Sequence, residues 1–392
     1  MSLRKATDRI RKNRRKMLKN RQGSMIITSP DNTLLVIIVI LISFGMMAIF
    51  SAGAPEGSYL YNNPAYYFMK HFMYILIGLF CMTFFAKFDY KKLKNYVMPF
   101  SLVTIALIAA TYIPGLGKES YGASRWLIGI PIQPSELAKI ATILLVSSIM
   151  INAKTIFDRK LLLHLGLVGI MFILILKQPN LSVATIVAAI AGVLLLAGGI
   201  SSLLLGGVAA AGAAFVLPHM HGYQTSRITG WLNPWADPQG TGYNLIQSWY
   251  AIGSGGIFGV GFGNSKQKLF WLPFRHTDFI FSVIAEELGL IGCLVLIGVF
   301  IAFIHRGLLI ANRCTDSFGK LLALGITFAI GIQAFINIGV TVGVLPVTGV
   351  TLPLISYGGT SVVVTMIMLG VLLNISRKRI KRIQPEEAQY AV

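Results

Sequence analysis

The run Arg275-His276-Thr277-Asp278 is the part of the chain whose residue types are best suited to chemistry. It places two basic side chains, a hydroxyl and a carboxylate directly before the apolar run Phe279-Ile280-Phe281. A carboxylate at the mouth of an apolar helix is costly unless it has a partner or a use. Asp278 is therefore the first candidate for a functional side chain.

Asp278 closes a long polar and glycine-rich segment, residues 219–278, inside a sequence that is otherwise strongly apolar. Connections between helices are usually short, so a segment of this length suggests a function of its own. Glycines such as Gly255 and Gly256 allow a backbone to approach a ligand closely. The residues 263–266 lack the P-loop pattern, and the Gly259/Gly261 spacing is a weak match to a dinucleotide fingerprint without its strand context. The basic residues expected to surround Asp278 are Lys266, Lys268, Arg275 and His276.

Three polar residues outside this segment each have a functional and a structural interpretation. Arg125 could bind a phosphate through its forked guanidinium group, or anchor the chain at the membrane interface beside Trp126. Glu136 lies in the first turn of a helix predicted to begin at Pro134, where it could serve a site or stabilise the helix dipole. Lys177 could bind a pyrophosphate or extend to the membrane surface.

A further polar cluster, Ser356-Tyr357-Gly358-Gly359, follows two proline-containing turns at Pro346 and Pro353. This density of Pro and Gly predicts a break near the membrane face. The break could be a re-entrant turn, or a wall of small residues against which a lipid chain lies.

Glu286 and Glu287 follow Asp278 on the next apolar run. Positions 278, 282 and 286 share one face of a helix, which predicts that Glu286 lies beneath Asp278. Carboxylates within a membrane face a partner or a cavity, so both are candidates for a supporting role. His219 and His221 are a weak metal-binding pattern, since metal sites commonly need three or four ligands. The three cysteines show no metal or disulfide spacing.

Composition identifies the class of protein. The 392 residues are 55% hydrophobic and 12% charged, with a mean hydropathy of +0.71, whereas soluble domains carry about 25% charged residues. The apolar runs are continuous, which favours helices over a β-barrel. The net charge of +20 is concentrated at the ends of these runs, as membrane topology requires, and we expect no nucleic-acid partner.

Ten apolar runs are predicted to span the membrane. They are 33–53, 67–87, 96–113, 136–152, 161–176, 182–199, 201–218, 279–305, 321–344 and 354–375. With an even number of spans, one side holds most of the 34 Lys and Arg residues, in the segments 1–32, 88–95, 153–160, 306–320 and 376–392. The opposite loops hold Lys118, Arg125, Lys177, Arg227, Lys266, Lys268 and Arg275.

The positive-inside rule then places both termini in the cytoplasm and the loop 219–278, between spans seven and eight, outside. The predicted fold is an all-α, polytopic membrane helix bundle. It is divided into a basic cytoplasmic tail (1–32), a membrane domain (33–377) and a second cytoplasmic tail (378–392).

In their order along the chain, these motifs resemble the SEDS family, the FtsW/RodA/SpoVE membrane glycosyltransferases of bacterial cell-wall synthesis. The resemblance extends over residues 33–377. It is carried by residues 122–127, 133–136, 267–268, 276–281 and 286–289, and by Pro353 with 356–359. Within the family, the chain is most like the FtsW branch, because Thr351-Leu352-Pro353 precedes the Ser-Tyr-Gly-Gly run. This chain departs from the family pattern at Asn180, Asn244 and Phe274, where Asp, Gln and Glu are common.

The resemblance implies a fold of ten transmembrane helices in the bacterial cytoplasmic membrane. It implies polymerisation of lipid II, an undecaprenyl-pyrophosphate-linked disaccharide-pentapeptide, into glycan strands, with Asp278 as the catalytic residue and a role in septal synthesis during division. The implied partners are a class B penicillin-binding protein and other membrane proteins of the division or elongation machinery.

Transfer from an α-linked lipid pyrophosphate to a sugar hydroxyl, giving a β-linkage, inverts the sugar carbon. It needs one base for the hydroxyl and positive charge for the departing pyrophosphate. We therefore predict that Asp278 activates the hydroxyl, or holds a divalent cation, Mg²⁺ or Mn²⁺, that does so. The substrate-binding candidates are Arg125, Glu136, Lys177, Lys268, His276 and Ser356; the supporting candidates are Gly255, Gly256, Glu286, Glu287, Gly358 and Gly359.

Two other classes of function use the same features. A flippase would move lipid II across the membrane without chemistry, and a scaffold would only recruit a transpeptidase. Glycan formed from lipid II in detergent would favour the enzyme, because detergent-solubilised protein has no two sides between which to flip a lipid.

Overall fold

The computed structural model describes residues 26–27, 29–120, 123–128, 132–151, 158–216 and 222–379. Most of the two predicted tails lies outside these residues, as do Gly122, His219 and His221.

The described residues are mostly helical. The α-helices are α1 (Asn32–Tyr61), α2 (Tyr66–Lys87), α3 (Val97–Ala110), α4 (Pro134–Ile149), α5 (Arg159–Lys177), α6 (Leu181–Ala197), α7 (Ser202–Val216), α8 (Tyr223–Leu232), α9 (Tyr243–Gly255), α10 (Ile280–Arg313), α11 (Ser317–Thr341) and α12 (Gly359–Ser376). The 3₁₀ helices are Tyr90–Tyr96 and Pro234–Ala236. Two small antiparallel sheets pair β1 (Ile26–Ile27) with β4 (Lys378–Arg379), and β2 (Gly117–Ser120) with β3 (Ala123–Leu127).

Seven helical segments in the described part of the chain are long and apolar enough to cross a membrane. They are α1, α2, α3 with the 3₁₀ helix before it, α5, α10, α11 and α12. A helix lies in each of the ten apolar runs, and α4 begins at Pro134 as predicted. The first helix is longer than expected, since α1 continues to Tyr61. The protein is therefore a multi-pass helical membrane protein.

The described part of the polar segment, residues 222–278, contains regular structure rather than an extended loop. Its helices α8 and α9 are fixed to the end of α11 by hydrogen bonds to backbone carbonyls. Trp231 Nε1 of α8 donates to the Gly343 carbonyl at 2.8 Å, and Ser248 Oγ of α9 donates to the Thr341 carbonyl at 2.6 Å. These contacts hold α8 and α9 over one end of the bundle.

Helix α10 is interrupted at Gly289, whose φ of 64° and ψ of −165° are not helical. The glycine-rich residues 256–261 lie in the interruption. Four backbone hydrogen bonds join them to α10. The N–H groups of Val260 and Gly261 donate to the carbonyls of Glu286 (3.0 Å) and Glu287 (3.1 Å), and the N–H groups of Leu290 and Ile291 donate to the carbonyls of Gly256 (2.9 Å) and Ile257 (3.2 Å). In an unbroken helix the N–H groups of residues 290 and 291 would donate to residues 286 and 287. The inserted segment therefore satisfies the groups that the interruption would leave without partners, as an apolar environment requires.

Glycine is required where these two backbones meet. A Cβ atom at Gly255 would lie 2.0 Å from the Ala285 carbonyl oxygen, and one at Gly259 would lie 2.1 Å from the Glu287 oxygen. The glycines that suggested close approach to a ligand thus bring the loop against α10. Gly255 and Gly256 are structural residues.

We expect Gly289→Ala to lower the thermal unfolding midpoint of the detergent-solubilised protein. A non-glycine residue in such a backbone conformation costs about 1–3 kcal/mol, and the new Cβ would lie 2.4 Å from the Gly259 nitrogen. Gly298→Ala, in the same helix but with open space at its Cβ position, is the matched control and should not lower the midpoint. Equal midpoints for the two variants would contradict this account of the interruption.

Candidate active site

A cavity of about 1350 Å³ lies between the loop helices and the bundle. Residues of α2, β3, α4, α6, α8, α9 and α11 line it, together with the segment before α10 and residues 347–351 and 357–361. Its charged lining residues are Arg125, Glu136, Lys139, Arg227, Asp237 and Asp278. The volume exceeds the range of about 300–1,000 Å³ that is usual for small-molecule sites, so a ligand larger than one sugar fits.

Asp278 is half-buried on the cavity wall, just before α10 begins. Burial raises the pKa of its carboxyl group to about 6, and the positive charges of Arg227 and Arg125 oppose that rise. A carboxylate with a pKa close to neutral is suited to accept and release a proton. Gly349 lies beside it, since a Cβ there would be in van der Waals contact with Asp278 Oδ2, at 3.4 Å.

Two guanidinium groups from different elements share the cavity with this carboxylate. Arg125 of β3 is oriented by the turn between α5 and α6, where its Nε donates to the Gln178 carbonyl at 3.2 Å and its Nη2 to the Pro179 carbonyl at 2.7 Å. Arg227 is held on α8. Guanidinium groups bind phosphate oxygens through parallel N–H donors, so the pair suits a phosphorylated ligand.

A buried ion pair forms another part of the wall. Lys139 is fully buried; its Nζ donates to Glu136 Oε2 at 2.8 Å and to Gln333 Oε1 at 2.6 Å. Gln333 in turn donates to the Thr351 carbonyl at 3.0 Å. Glu136 is therefore the counterion of a buried lysine, and removing either partner would leave an uncompensated charge.

Lys268 was expected to contact the substrate, but the structure places it elsewhere. Its side chain is buried, and its Nζ donates to Glu287 Oε1 at 2.8 Å, Ser51 Oγ at 2.8 Å and the Gly263 carbonyl at 2.6 Å. These contacts saturate the three donors of an ammonium group. Lys268 and Glu287 therefore anchor the loop to the bundle.

Glu286 was expected beneath Asp278 on one face of a helix, but Asp278 lies before the start of that helix. The helix begins only at Ile280, and the Glu286 carboxylate accepts hydrogen bonds from the loop. The donors are Ser265 Oγ, the Lys266 N–H (2.9 Å) and the Gln267 N–H (3.3 Å). Glu286 thus orders the loop from a supporting position.

Arg275 and His276 face away from the Asp278 cavity, toward Glu56. Arg275 Nη2 pairs with Glu56 Oε2 at 2.8 Å, and His276 Nδ1 lies 3.6 Å from the same oxygen. Burial lowers the pKa of His276 to about 4 although Glu56 opposes the shift, so the imidazole is neutral at pH 7. His276 also packs on Tyr67. The predicted contact between His276 and the substrate is replaced by a structural one.

Two further candidates, Lys177 and Ser356, do not belong to the described cavity lining. The Lys177 side chain is exposed at the end of α5. Ser356 is buried, and its Oγ donates to the Thr277 carbonyl at 2.6 Å. Gly358 and Gly359 do line the cavity, as expected for a wall of small residues.

Sequence analysis missed Lys139, Gln333 and Arg227 as cavity residues. Lys139 carries a signal that could have revealed it, since it is a charged residue inside an apolar run and three residues after Glu136 on a helix. Arg227 carries no such signal, because only the fold distinguishes it from the other basic residues of the loop.

The described residues do not supply a dedicated divalent-cation site. They contain no group of three or more His, Cys, Asp or Glu side chains placed to hold a metal ion. The cavity carboxylate Glu136 is paired with Lys139, and Asp237 Oδ2 accepts the Thr241 N–H at 2.8 Å. Binding of Mg²⁺ or Mn²⁺ by Asp278 stays a prediction, and the proposed reaction does not depend on it.

A carboxylate and two arginines in one large cavity of a multi-pass helical protein are groups suited to a phosphorylated ligand. Comparisons with known proteins give the family. The family model described as "Cell cycle protein", which covers FtsW, RodA and SpoVE, matches residues 32–381. The chain belongs to this FtsW/RodA/SpoVE family.

Similar sequences include the probable peptidoglycan glycosyltransferase FtsW of Geobacter metallireducens, which is 38% identical over 359 residues, or 89% of this chain and 95% of that protein. Stage V sporulation protein E of Bacillus subtilis is 37% identical over 358 residues, covering 89% and 98%. Among solved structures, one described as "Structural coordination of polymerization and crosslinking by a peptidoglycan synthase complex" has a TM-score of 0.74 at 29% identity, covering 90% and 99%. The rod shape determining protein RodA of Thermus thermophilus has a TM-score of 0.67 at 25% identity, covering 90% and 98%.

We expect Arg227→Gln to raise the pKa of Asp278 above its parental value of about 6, because the substitution removes a positive charge that lowers it. Infrared difference spectra of the carboxyl C=O stretch against pH, with Asp278→Asn as the blank, measure this titration. Arg313→Gln, at an exposed arginine in the last turn of α10, is the control and should leave the pKa unchanged. Titration of the parent near the ordinary value of 3.8, or no effect of Arg227→Gln, would contradict the electrostatic account.

Proposed function

We propose that this protein is a peptidoglycan glycosyltransferase that polymerises lipid II into glycan strands at the outer face of the cytoplasmic membrane. The observation that carries the proposal is the cavity in which Asp278 faces Arg125 and Arg227. Membership of a family whose similar members are named glycosyltransferases supports the same activity.

The proposed topology has ten spans and two cytoplasmic termini. The positive-inside distribution of Lys and Arg supports it, because the basic segments then share the cytoplasmic side. In this orientation α8, α9 and the Asp278 cavity lie at the outer face, where a lipid-linked sugar is accessible.

In the proposed reaction, Arg125 and Arg227 bind the diphosphate of the donor lipid. Asp278 removes the proton from the 4-hydroxyl of the acceptor sugar as that oxygen attacks the donor sugar carbon. The bond from that carbon to the diphosphate breaks on the opposite face, so the carbon is inverted and the lipid diphosphate departs as an anion.

This division of roles explains why one carboxylate suffices. Hydrolysis of glycosides needs a second carboxyl group to protonate a sugar leaving group. A diphosphate leaves without a proton when positive charge stabilises it. The two arginines supply that charge.

The proposed partner is a class B penicillin-binding protein, which would crosslink the strands, together with other membrane proteins of the division or elongation machinery. A solved structure of a synthase complex that combines polymerisation and crosslinking, and to which this chain is similar, supports such a pairing. The similarity to FtsW proteins favours septal synthesis in division.

We expect Asp278→Asn to lower the rate of glycan formation by about 10²–10⁴-fold, because a positioned general base is lost. The assay uses purified lipid II and detergent-solubilised protein with its class B partner. Asp158→Asn is the matched control, since Asp158 caps α5 and asparagine caps a helix equally well.

Parental rates for Asp278→Asn would reject Asp278 as the base. No glycan from the parent protein, with lipid II transport in vesicles instead, would favour the flippase. Neither glycan nor transport, with the partner still bound, would favour the scaffold.

A further inference from the structure

The backbone carbonyl groups of residues 276–278 each accept a hydrogen bond from another part of the chain. The donors are the Tyr357 N–H to residue 276 (2.8 Å), Ser356 Oγ to residue 277 (2.6 Å) and Asn337 Nδ2 to residue 278 (2.7 Å). The segment that carries the cavity carboxylate is therefore held at every peptide group, from two different elements.

Asn337 joins this segment to the facing part of the cavity wall. It lies on α11 and is 1% exposed. Its Nδ2 also donates to the Val350 carbonyl at 2.7 Å. The two N–H groups of one carboxamide thus bridge the backbone of Asp278 and the wall segment next to Gly349.

Ser356 makes a comparable bridge. Its Oγ donates to the Thr277 carbonyl and accepts the Leu352 N–H at 2.7 Å. The hydroxyl is buried, so both contacts are protected from competing water. The turn that contains Ser356 is thereby fastened to the residue before the carboxylate.

These contacts act on the carboxylate through its own backbone. A catalytic group that moves by about 1 Å can lose about 100-fold in rate. The arginines that face Asp278 belong to β3 and α8, so loosening residues 276–278 would leave them in place. The expected signature is a loss in kcat with little change in KM.

Resting on the proposed function, we propose that Asn337 and Ser356 are positioning residues for glycosyl transfer. They hold the backbone of Asp278 so that its carboxylate meets the acceptor hydroxyl. Neither side chain needs to touch the substrate.

The test compares Asn337→Leu and Ser356→Ala with matched controls on α12. Asn374 is a buried asparagine whose Nδ2 donates to the Ala86 carbonyl at 2.9 Å and whose Oδ1 accepts the Tyr90 N–H at 3.1 Å. Ser376 is a buried serine whose Oγ donates to the Leu373 carbonyl at 2.7 Å and accepts the Asp31 N–H at 3.1 Å. Asn374→Leu and Ser376→Ala therefore remove the same kinds of hydrogen bond at the opposite end of α12 from the cavity residues Gly359–Ser361.

Each variant is assayed with purified lipid II and the class B partner, and its thermal unfolding midpoint is measured. We expect Asn337→Leu and Ser356→Ala to lower kcat by about 10- to 100-fold at a nearly parental KM, whereas the controls keep the parental kcat. If Asn337→Leu fails to fold, Ser356→Ala decides the outcome.

The positioning role is overturned if variants and controls lose kcat equally, or if only KM changes. The proposed function survives that result as long as the parent protein and Asp278→Asn behave as expected. If the parent makes no glycan, both the proposed function and this inference fail.

Discussion

Backbone groups in an apolar environment must find partners within the protein, and the structure depends on how this is done where α10 is interrupted. At Gly289 the backbone hydrogen bonds within the helix are interrupted, and the backbone of residues 256–261 forms hydrogen bonds with the same groups instead. The exchange needs glycine on both sides, because the two backbones are too close for a Cβ atom. It fastens the polar segment to residues 286–291 of α10, the helix that follows Asp278.

Side-chain contacts reinforce the same junction. Glu286 binds the backbone of residues 266 and 267, and Glu287 pairs with Lys268. Charged residues that the sequence offers as site candidates are thus used to hold the loop in place. The cavity retains a smaller set, in which two guanidinium groups partly offset the cost of burying one carboxylate. That balance suits a group that must exchange a proton near neutral pH.

The apolar helices, the helix start at Pro134 and the position of Asp278 before α10 follow from local patterns, and sequence alone predicts them well. The partners of the charged residues do not follow from local patterns. Lys268 lies in the same polar segment as Asp278, yet its contacts include Ser51 from α1. Arg227 has an ordinary sequence context and reaches the cavity only because α8 docks on the end of α11. Such pairings depend on the packing of distant elements, which periodicity and spacing do not encode.

In the proposed reaction, one carboxylate and two arginines in a single cavity join sugars carried on a lipid diphosphate. The most direct measurement is an experimental structure of the Asp278→Asn protein with lipid II bound. We predict the diphosphate within hydrogen-bonding distance of the Arg125 and Arg227 guanidinium groups, with a sugar hydroxyl beside residue 278. A diphosphate bound outside this cavity, or sugars out of reach of residue 278, would contradict it.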